Sequence, residues 1–328
     1  MSTRLTKAGQ SIDRDKVKSV KAPSAKAKSV KAPSAKATSA KATSAKATYA
    51  KASVAKVSAE KTPAPETAVV EAVATQNAAV LAPVPTAAEV ARDSFMLAIS
   101  AAAGGSAFYV QVGANDGRMA DPVYSIAKRN AWRGLLIEPH PAYFEALHTR
   151  YKRRSDFTLL QIGISDTAGV LPLYHLDNSL MAEFPRWVHG SASVDQSRVE
   201  RQVRLACNKA GRTYDPAMVT RTDVPMRRLD EVLAEQAITS VDLIVIDVEG
   251  HELAVMASAD LKSLSLRGML VECNGKNAVQ KPQYVAALNA AGLIVYELRD
   301  DLCAFDPARL TVDLAAEFEA AGLPRLGK

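Results

Sequence analysis

The 328-residue chain has only three cysteines, Cys207, Cys273 and Cys303, far apart and odd in number. None lies at metal-ligand spacing from a histidine, so neither a disulfide framework nor a zinc site is expected, and a reduced, cytoplasmic protein is. No apolar run approaches the ~18 residues of a membrane-spanning helix. No apolar segment near the start leads to a small-residue cleavage site, which argues against a secretory signal. Aromatic residues are scarce, and residues 1–61 contain only Tyr49. Two phosphate-binding turns are also missing. There is no Gly-x-Gly-x-x-Gly for a dinucleotide and no Gly-Lys-Ser/Thr for a nucleoside triphosphate.

Charge is unevenly spread. Residues 1–61 carry 13 Lys and 2 Arg against Asp13, Asp15 and Glu60, a net of +12, whereas the whole chain is +6. The remainder is therefore mildly acidic. From Lys16 to Lys61 a lysine recurs every five residues among Ala, Ser, Thr, Val and Pro. On a helix that step turns by about 140°, so no apolar face forms, and a tail this polar cannot offset its ordering entropy. Residues 1–61 are predicted to be a disordered basic tail. It is either a polyanion-binding arm acting through counterion release over residues 16–61, nucleic acid included, or a solubilising segment. Residues 62–85, with Pro63, Pro65, Pro83 and Pro85, read as a linker to a single domain over 86–328.

Within that domain, short apolar runs alternate with helical patterns. Strands are predicted at Phe108–Val112, Leu135–Ile137, Phe157–Ile162, Val170–Tyr174, Val241–Ile246, Arg267–Val271, Leu293–Leu298 and Leu302–Phe305. Helices are predicted at 87–103, 122–130, 141–150, 229–236, from about 250, and at 284–291. The alternation indicates an α/β fold, a mostly parallel sheet covered on both faces. The turn Arg299-Asp300-Asp301 between the last two strands suggests an antiparallel edge. The polar stretch 177–222, with Trp187, Arg198, Arg201 and Arg204, reads as a lid that selects a second substrate, or as a surface insertion.

The most informative motif is Phe108-Tyr-Val-Gln-Val-Gly-Ala-Asn-Asp-Gly117, followed by Leu135-Leu-Ile-Glu-Pro139. In a parallel sheet this is the geometry that holds an adenosine. Gly113 and Gly117 would let backbone approach the ligand, and Glu138 would accept hydrogen bonds from the ribose hydroxyls. The 25 residues between Gly113 and Glu138 are close to the ~20 of a nucleotide-binding unit. The turn has few glycines, and Ala114, Asn115 and Asp116 could meet an amino-acid-like ligand end. That favours S-adenosylmethionine (SAM) over NAD as cofactor, with a NAD-dependent oxidoreductase as the weaker enzymatic alternative.

Ligands in open α/β sheets sit beyond the carboxyl ends of the strands. Those ends carry Gly113–Asp116, Glu138, Gly163–Asp166, Asp247-Val-Glu-Gly-His-Glu252 and Glu272-Cys-Asn274. Ser165 and Asp166 either bond an adenine amino group or cap a turn. Asp247 is either a site residue or the polar end of its strand, and Glu252 suits the first turn of a helix. His251 is either a general base or a surface histidine, with Glu249 beside it as a further catalytic candidate. A metal on Asp247, Glu249 and His251 is chemically possible, but the spacing is no signature and no metal is expected.

Taken in order, Val-Gly-Ala-Asn-Asp-Gly, Ile-Glu-Pro, Gly-Ile-Ser-Asp-Thr-Ala-Gly, Arg-Leu-Asp-Glu-Val-Leu and Ile-Asp-Val-Glu-Gly-His-Glu resemble the FkbM-type SAM-dependent methyltransferases. The resemblance spans about Phe108–Phe305 and is most specific at residues 246–252. It implies the class I methyltransferase (Rossmann-like) fold, doubly wound and mostly parallel with seven strands and an antiparallel edge. It further implies SAM-dependent O-methylation of a hydroxyl on a sugar, glycan or secondary metabolite. The basic tail has no counterpart in the family's core.

Overall fold

A computed structural model describes residues 85–119 and 121–327. The basic tail 1–61 and all but the last residue of the linker 62–85 lie outside the described residues. The chain runs α1 (Ala87–Ala102), β1 (Phe108–Val112), α2 (Tyr124–Arg129), β2 (Arg133–Ile137), α3 (Pro141–Tyr151), β3 (Phe157–Leu160), β4 (Gly163–Ile164) and β5 (Gly169–Leu176). It continues through α4 (Arg186–His189), α5 (Gln196–Lys209), β6 (Val219–Arg227), α6 (Leu229–Glu235), β7 (Leu243–Ile246) and α7 (Glu252–Met256). The last elements are β8 (Gly268–Glu272), α8 (Lys281–Ala290), β9 (Ile294–Leu298), β10 (Asp301–Phe305), α9 (Leu314–Ala320) and β11 (Arg325–Leu326).

The main sheet has the order β11-β9-β10-β8-β7-β1-β2-β3. Strands β3, β2, β1, β7 and β8 are parallel, and β10 is antiparallel to both β8 and β9. The seven strands of the expected sheet are all present, and two-residue β11 adds an eighth, antiparallel to β9. The reversed strand β10 lies two places inside the edge, with β9 and β11 beyond it. The Arg299-Asp300 turn makes a hairpin of β9 and β10, but β10 takes the free hydrogen-bonding side of β8 and pushes β9 outward.

Alternation along each strand divides the core. Tyr109, Leu136, Leu243 and Leu270 face α1, α2 and α9, whereas Val110, Leu135, Ile244 and Met269 face α6, α7 and α8. Each fully buried apolar side chain contributes roughly 1.5–3 kcal/mol. Helix α1 starts on a capping box, in which Glu89 N donates to Thr86 Oγ1 at 3.3 Å and Thr86 N to Glu89 Oε2 at 2.7 Å. It buries Phe95, Met96 and Ile99 against the sheet. Because the period is two, Gln111 is a polar residue on the otherwise apolar face toward α1.

Two expectations change beyond β3. The predicted strand 157–162 stops at Leu160, and Gly163–Ile164 joins a second, three-stranded sheet of order β4-β6-β5. The polar stretch 177–222 is not an open lid. It folds into α4, α5 and the first part of β6, with a core of Val188, Val199, Val203, Ala206 and Cys207. Helix α5 is capped by Asp195, whose Oδ1 accepts from Ser197 N at 2.9 Å.

Candidate functional site

The carboxyl ends of β2, β1, β7 and β8, with the start of β10, open on one cavity of about 410 Å³. That is within the range of small-molecule sites. Its lining includes Gly113, Ala114, Asn115, Glu138, Asp247, Glu249 and Glu272 from the strand tips. Segments of the inserted region close one side with Arg186, Trp187, Gly190 and Ala192. Trp187 is 42% exposed at this rim, with Lys209 Nζ 5.1 Å from its ring centroid.

Glu138 ends β2 and is buried. Asn115 N donates to its Oε2 at 2.7 Å, and His140 N to its Oε1 at 2.8 Å. Burial pushes its carboxyl up to about 7, against the pull of those two N–H groups. Each oxygen keeps a lone pair for a ligand donor.

Gly113 lines the cavity, and both glycines also make room for other parts of the protein. Gly113 has φ +87°, and a Cβ there would lie 1.8 Å from the Asp247 carbonyl oxygen. A Cβ at Gly117 would lie 2.6 Å from Leu147 Cδ1 and 2.7 Å from Tyr151 Cε2. Both glycines therefore admit other parts of the protein, the first pressing the β1 and β7 tips together and the second seating α3. Asp116, like Gly117, is not part of the cavity lining. Arg150 Nη2 pairs with its Oδ2 at 3.0 Å, and its Oδ1 accepts from Met119 N at 2.7 Å.

The loop after β4 stands apart from the cavity lining. Ser165 Oγ donates to Asp166 Oδ1 at 3.1 Å and meets His251 Nε2 at 2.9 Å. Since the serine proton is used on Asp166, Nε2 of His251 is the donor to Ser165 and the ring is the Nε2–H tautomer. Burial lowers the His251 pKa below its ordinary value. His251 thus ties two loops together and is not among the residues lining the cavity.

What the tips of β7 and β8 do bring together is a group of acids. One carboxylate oxygen each from Asp247, Glu249 and Glu272 lies within 4.8 Å of the others. Glu272 takes the place that the sequence had offered to His251. Desolvation first, then repulsion from neighbouring acids, pushes the half-buried Glu272 up to about 10, and the same causes raise Asp247, although that residue is itself exposed. Glu249 is raised by burial too, but the Arg198 guanidinium pulls against it. Arg198 is buried, donates through Nε to Glu249 Oε2 at 2.7 Å, and adds an Nη2 contact to the same oxygen. Its Nη2 also reaches Glu272 Oε2 at 3.5 Å and Asn274 Oδ1 at 3.3 Å. A guanidinium thus supplies the positive charge that three close carboxylates require.

Glu249 itself has φ +55°, a left-handed conformation that costs a residue with a side chain on the order of 1–3 kcal/mol. Ser193 Oγ holds its carbonyl oxygen at 2.7 Å. Strain at a clamped, half-buried acidic residue marks a functional position better than its side chain type does.

Four participants were missed by reading the sequence. Gln111, Asp121, Asp301 and Arg92 line the cavity on its α1 side. Gln111 Oε1 and Asp121 Oδ2 are buried acceptors without a hydrogen-bond partner among the described residues. Asp301 is the register partner of Glu272, faces Arg92 Nη1 at 3.9 Å, and is pushed by burial up to about 6. The alternation of β1 gave a signal for Gln111, the one polar side chain in that strand.

The model of the methyltransferase FkbM domain matches residues 111–292. The chain belongs to the FkbM methyltransferase family. It is 28% identical over 200 residues to methyltransferase sdnD of Sordaria araneosa, covering 56% of this chain and 73% of that one. An FkbM methyltransferase structure from Methylobacillus flagellatus KT superposes with TM-score 0.38 at 14% identity. That overlay covers 61% of this chain and 44% of the other, so the chain spans less than half of that relative. The N-terminal domain of human METTL16, in complex with SAH, superposes with TM-score 0.34 at 11% identity, covering 69% and 72%. In this FkbM domain, the matched segment contains every cavity-lining carboxylate except Asp301.

Proposed function

We propose that the protein is a SAM-dependent O-methyltransferase acting on a hydroxyl of a sugar, glycan or secondary metabolite. The observation that carries this reading is the convergence of Glu138 with the Asp247, Glu249 and Glu272 group on one cavity. Glu138 would take the ribose hydroxyls, beside the Gly113–Asn115 turn. The buried acceptors Gln111 Oε1 and Asp121 Oδ2 suit the ammonium of an amino-acid end, and Arg92 suits its carboxylate. Orphaned acceptors of this kind cost about 1–3 kcal/mol each, which a donating ligand recovers.

Bound SAM supplies an electrophilic methyl group on a sulfonium that leaves as a neutral thioether. The protein's part is then alignment of the acceptor and a place for its hydroxyl proton. Glu249 is the best candidate for that proton. Glu272, pushed up to about 10, would hold its own proton at neutral pH, while Arg198 favours the ionised form of Glu249. Asp247 and Glu272 would shape the site and share hydrogen bonds around the acceptor.

Trp187 and Arg186 at the rim favour a flat or ring-shaped acceptor. With six carboxylates in the lining against Arg92 and Arg186, the cavity suits an uncharged acceptor over an anionic glycan. Labelled methyl transfer from SAM into cell fractions, followed by product identification, tests the proposal. Glu249→Gln should lower transfer by about 10²–10⁴-fold. Transfer unchanged in Glu249→Gln would move the proton acceptor elsewhere, and no transfer with any fraction would count against the proposal itself.

A further inference from the structure

Helix α5 belongs to the inserted region, yet its Arg198 is buried among the strand tips. Its guanidinium contacts residues 51, 74 and 76 positions away, namely Glu249, Glu272 and Asn274. The same insertion clamps the Glu249 backbone through Ser193, which itself is tied to β5 by a Tyr174–Ser193 bridge. Side chain and main chain of Glu249 are therefore both set by an element outside the sheet. We propose that Arg198 is a positioning residue that orients Glu249 and sustains its charge, making the inserted segment 177–222 an integral part of the catalytic group. This rests on the methyltransferase reading above.

The chemistry follows from the neighbours. Asp247 and Glu272, at the tips of β7 and β8, crowd Glu249, and Glu252 of α7 disfavours its ionisation. Arg198 of α5 opposes them with a planar fork that fixes direction as well as charge. Because α5 also packs on the helix that carries Trp187, an acceptor seated against that rim would be referenced to the same element that holds Glu249. A lysine in place of Arg198 keeps the charge and loses the fork.

The test uses the full chain in five forms: unsubstituted, Arg198→Met, Arg198→Lys, Glu249→Gln, and Arg198→Met combined with Glu249→Gln. Affinity for S-adenosylhomocysteine is read by calorimetry, and turnover with labelled SAM and the acceptor-bearing fraction. Arg198→Met should lower kcat by about 10²-fold or more while the affinity changes less than about threefold. The acidic limb of its pH–rate profile should move to higher pH, because the carboxylate has lost its cation. Arg198→Lys should recover part of the rate, and if Arg198→Met fails to fold it carries the test through its pH limb and its kcat. In the Glu249→Gln background the change at 198 should alter kcat by less than about threefold. Wild-type kcat in both single variants, or an equal loss with and without Glu249, would overturn the proposal. An unsubstituted protein that binds no S-adenosylhomocysteine would instead remove the reading beneath it.

Discussion

Glu138 is 5% exposed and already holds two backbone N–H groups, so its charge is finely balanced. Between pH 4.5 and about 7 the folded protein keeps a proton on it that the unfolded chain releases. Its contribution to stability is therefore present at low pH and lost as pH rises through about 7. A ribose donating two hydrogen bonds favours the ionised form. Affinity for S-adenosylhomocysteine should thus rise with pH up to about 7 and fall by at most about tenfold per pH unit below it. Glu138→Ala should weaken binding by roughly 1.5–3 kcal/mol and flatten that pH dependence. Calorimetry at pH 6 and pH 8 on both proteins decides it, and wild-type affinity in Glu138→Ala would take Glu138 out of the site. Gly113→Val is a different matter, because its Cβ meets the Asp247 carbonyl and its backbone is left-handed. It should cost about 2–4 kcal/mol of folding stability by denaturant titration, whatever it does to binding. Loss of binding with unchanged stability would restore the view that Gly113 makes room for the ligand.

At the scale of elements, the strand tips were legible because each is a short-range pattern, an apolar run closed by a glycine or an acid. Partnerships across the sheet were not. Nothing near residue 198 announces Glu249, since topology alone brings α5 over the tip of β7. Helix α5 did leave a trace in Val199, Val203, Ala206 and Cys207, a helical stripe hidden by many charged neighbours. Strand β6 left less, because Thr220, Arg221 and Asp223 mask its inward Val224 and Met226. For His251 too, the contact that the structure shows is remote in sequence. Its type and position suggested a base, but its partner Ser165 is 86 residues away. His251→Ala should therefore cost about 1 kcal/mol of stability, the worth of one hydrogen bond, and leave turnover within about tenfold. A loss of 10²-fold or more, with stability intact, would return the general-base role to His251.

The molecule as a whole joins a mildly acidic domain to a strongly basic N-terminal segment. A chain beginning at Thr86, the cap of α1, should bind S-adenosylhomocysteine as the full-length protein does. The full-length protein should in addition bind nucleic acid with an affinity that falls steeply with salt, and the shortened one should not. Salt-independent binding, or its survival after shortening, would place the contact in the domain. The central claim is that the cavity between β2 and β8 is a SAM site. Calorimetric titration of the full-length protein with S-adenosylhomocysteine and, separately, with NAD tests it most directly. The account predicts saturable one-to-one binding of S-adenosylhomocysteine, weakened in Glu138→Ala, and none of NAD; binding of NAD, or of neither ligand, would contradict it.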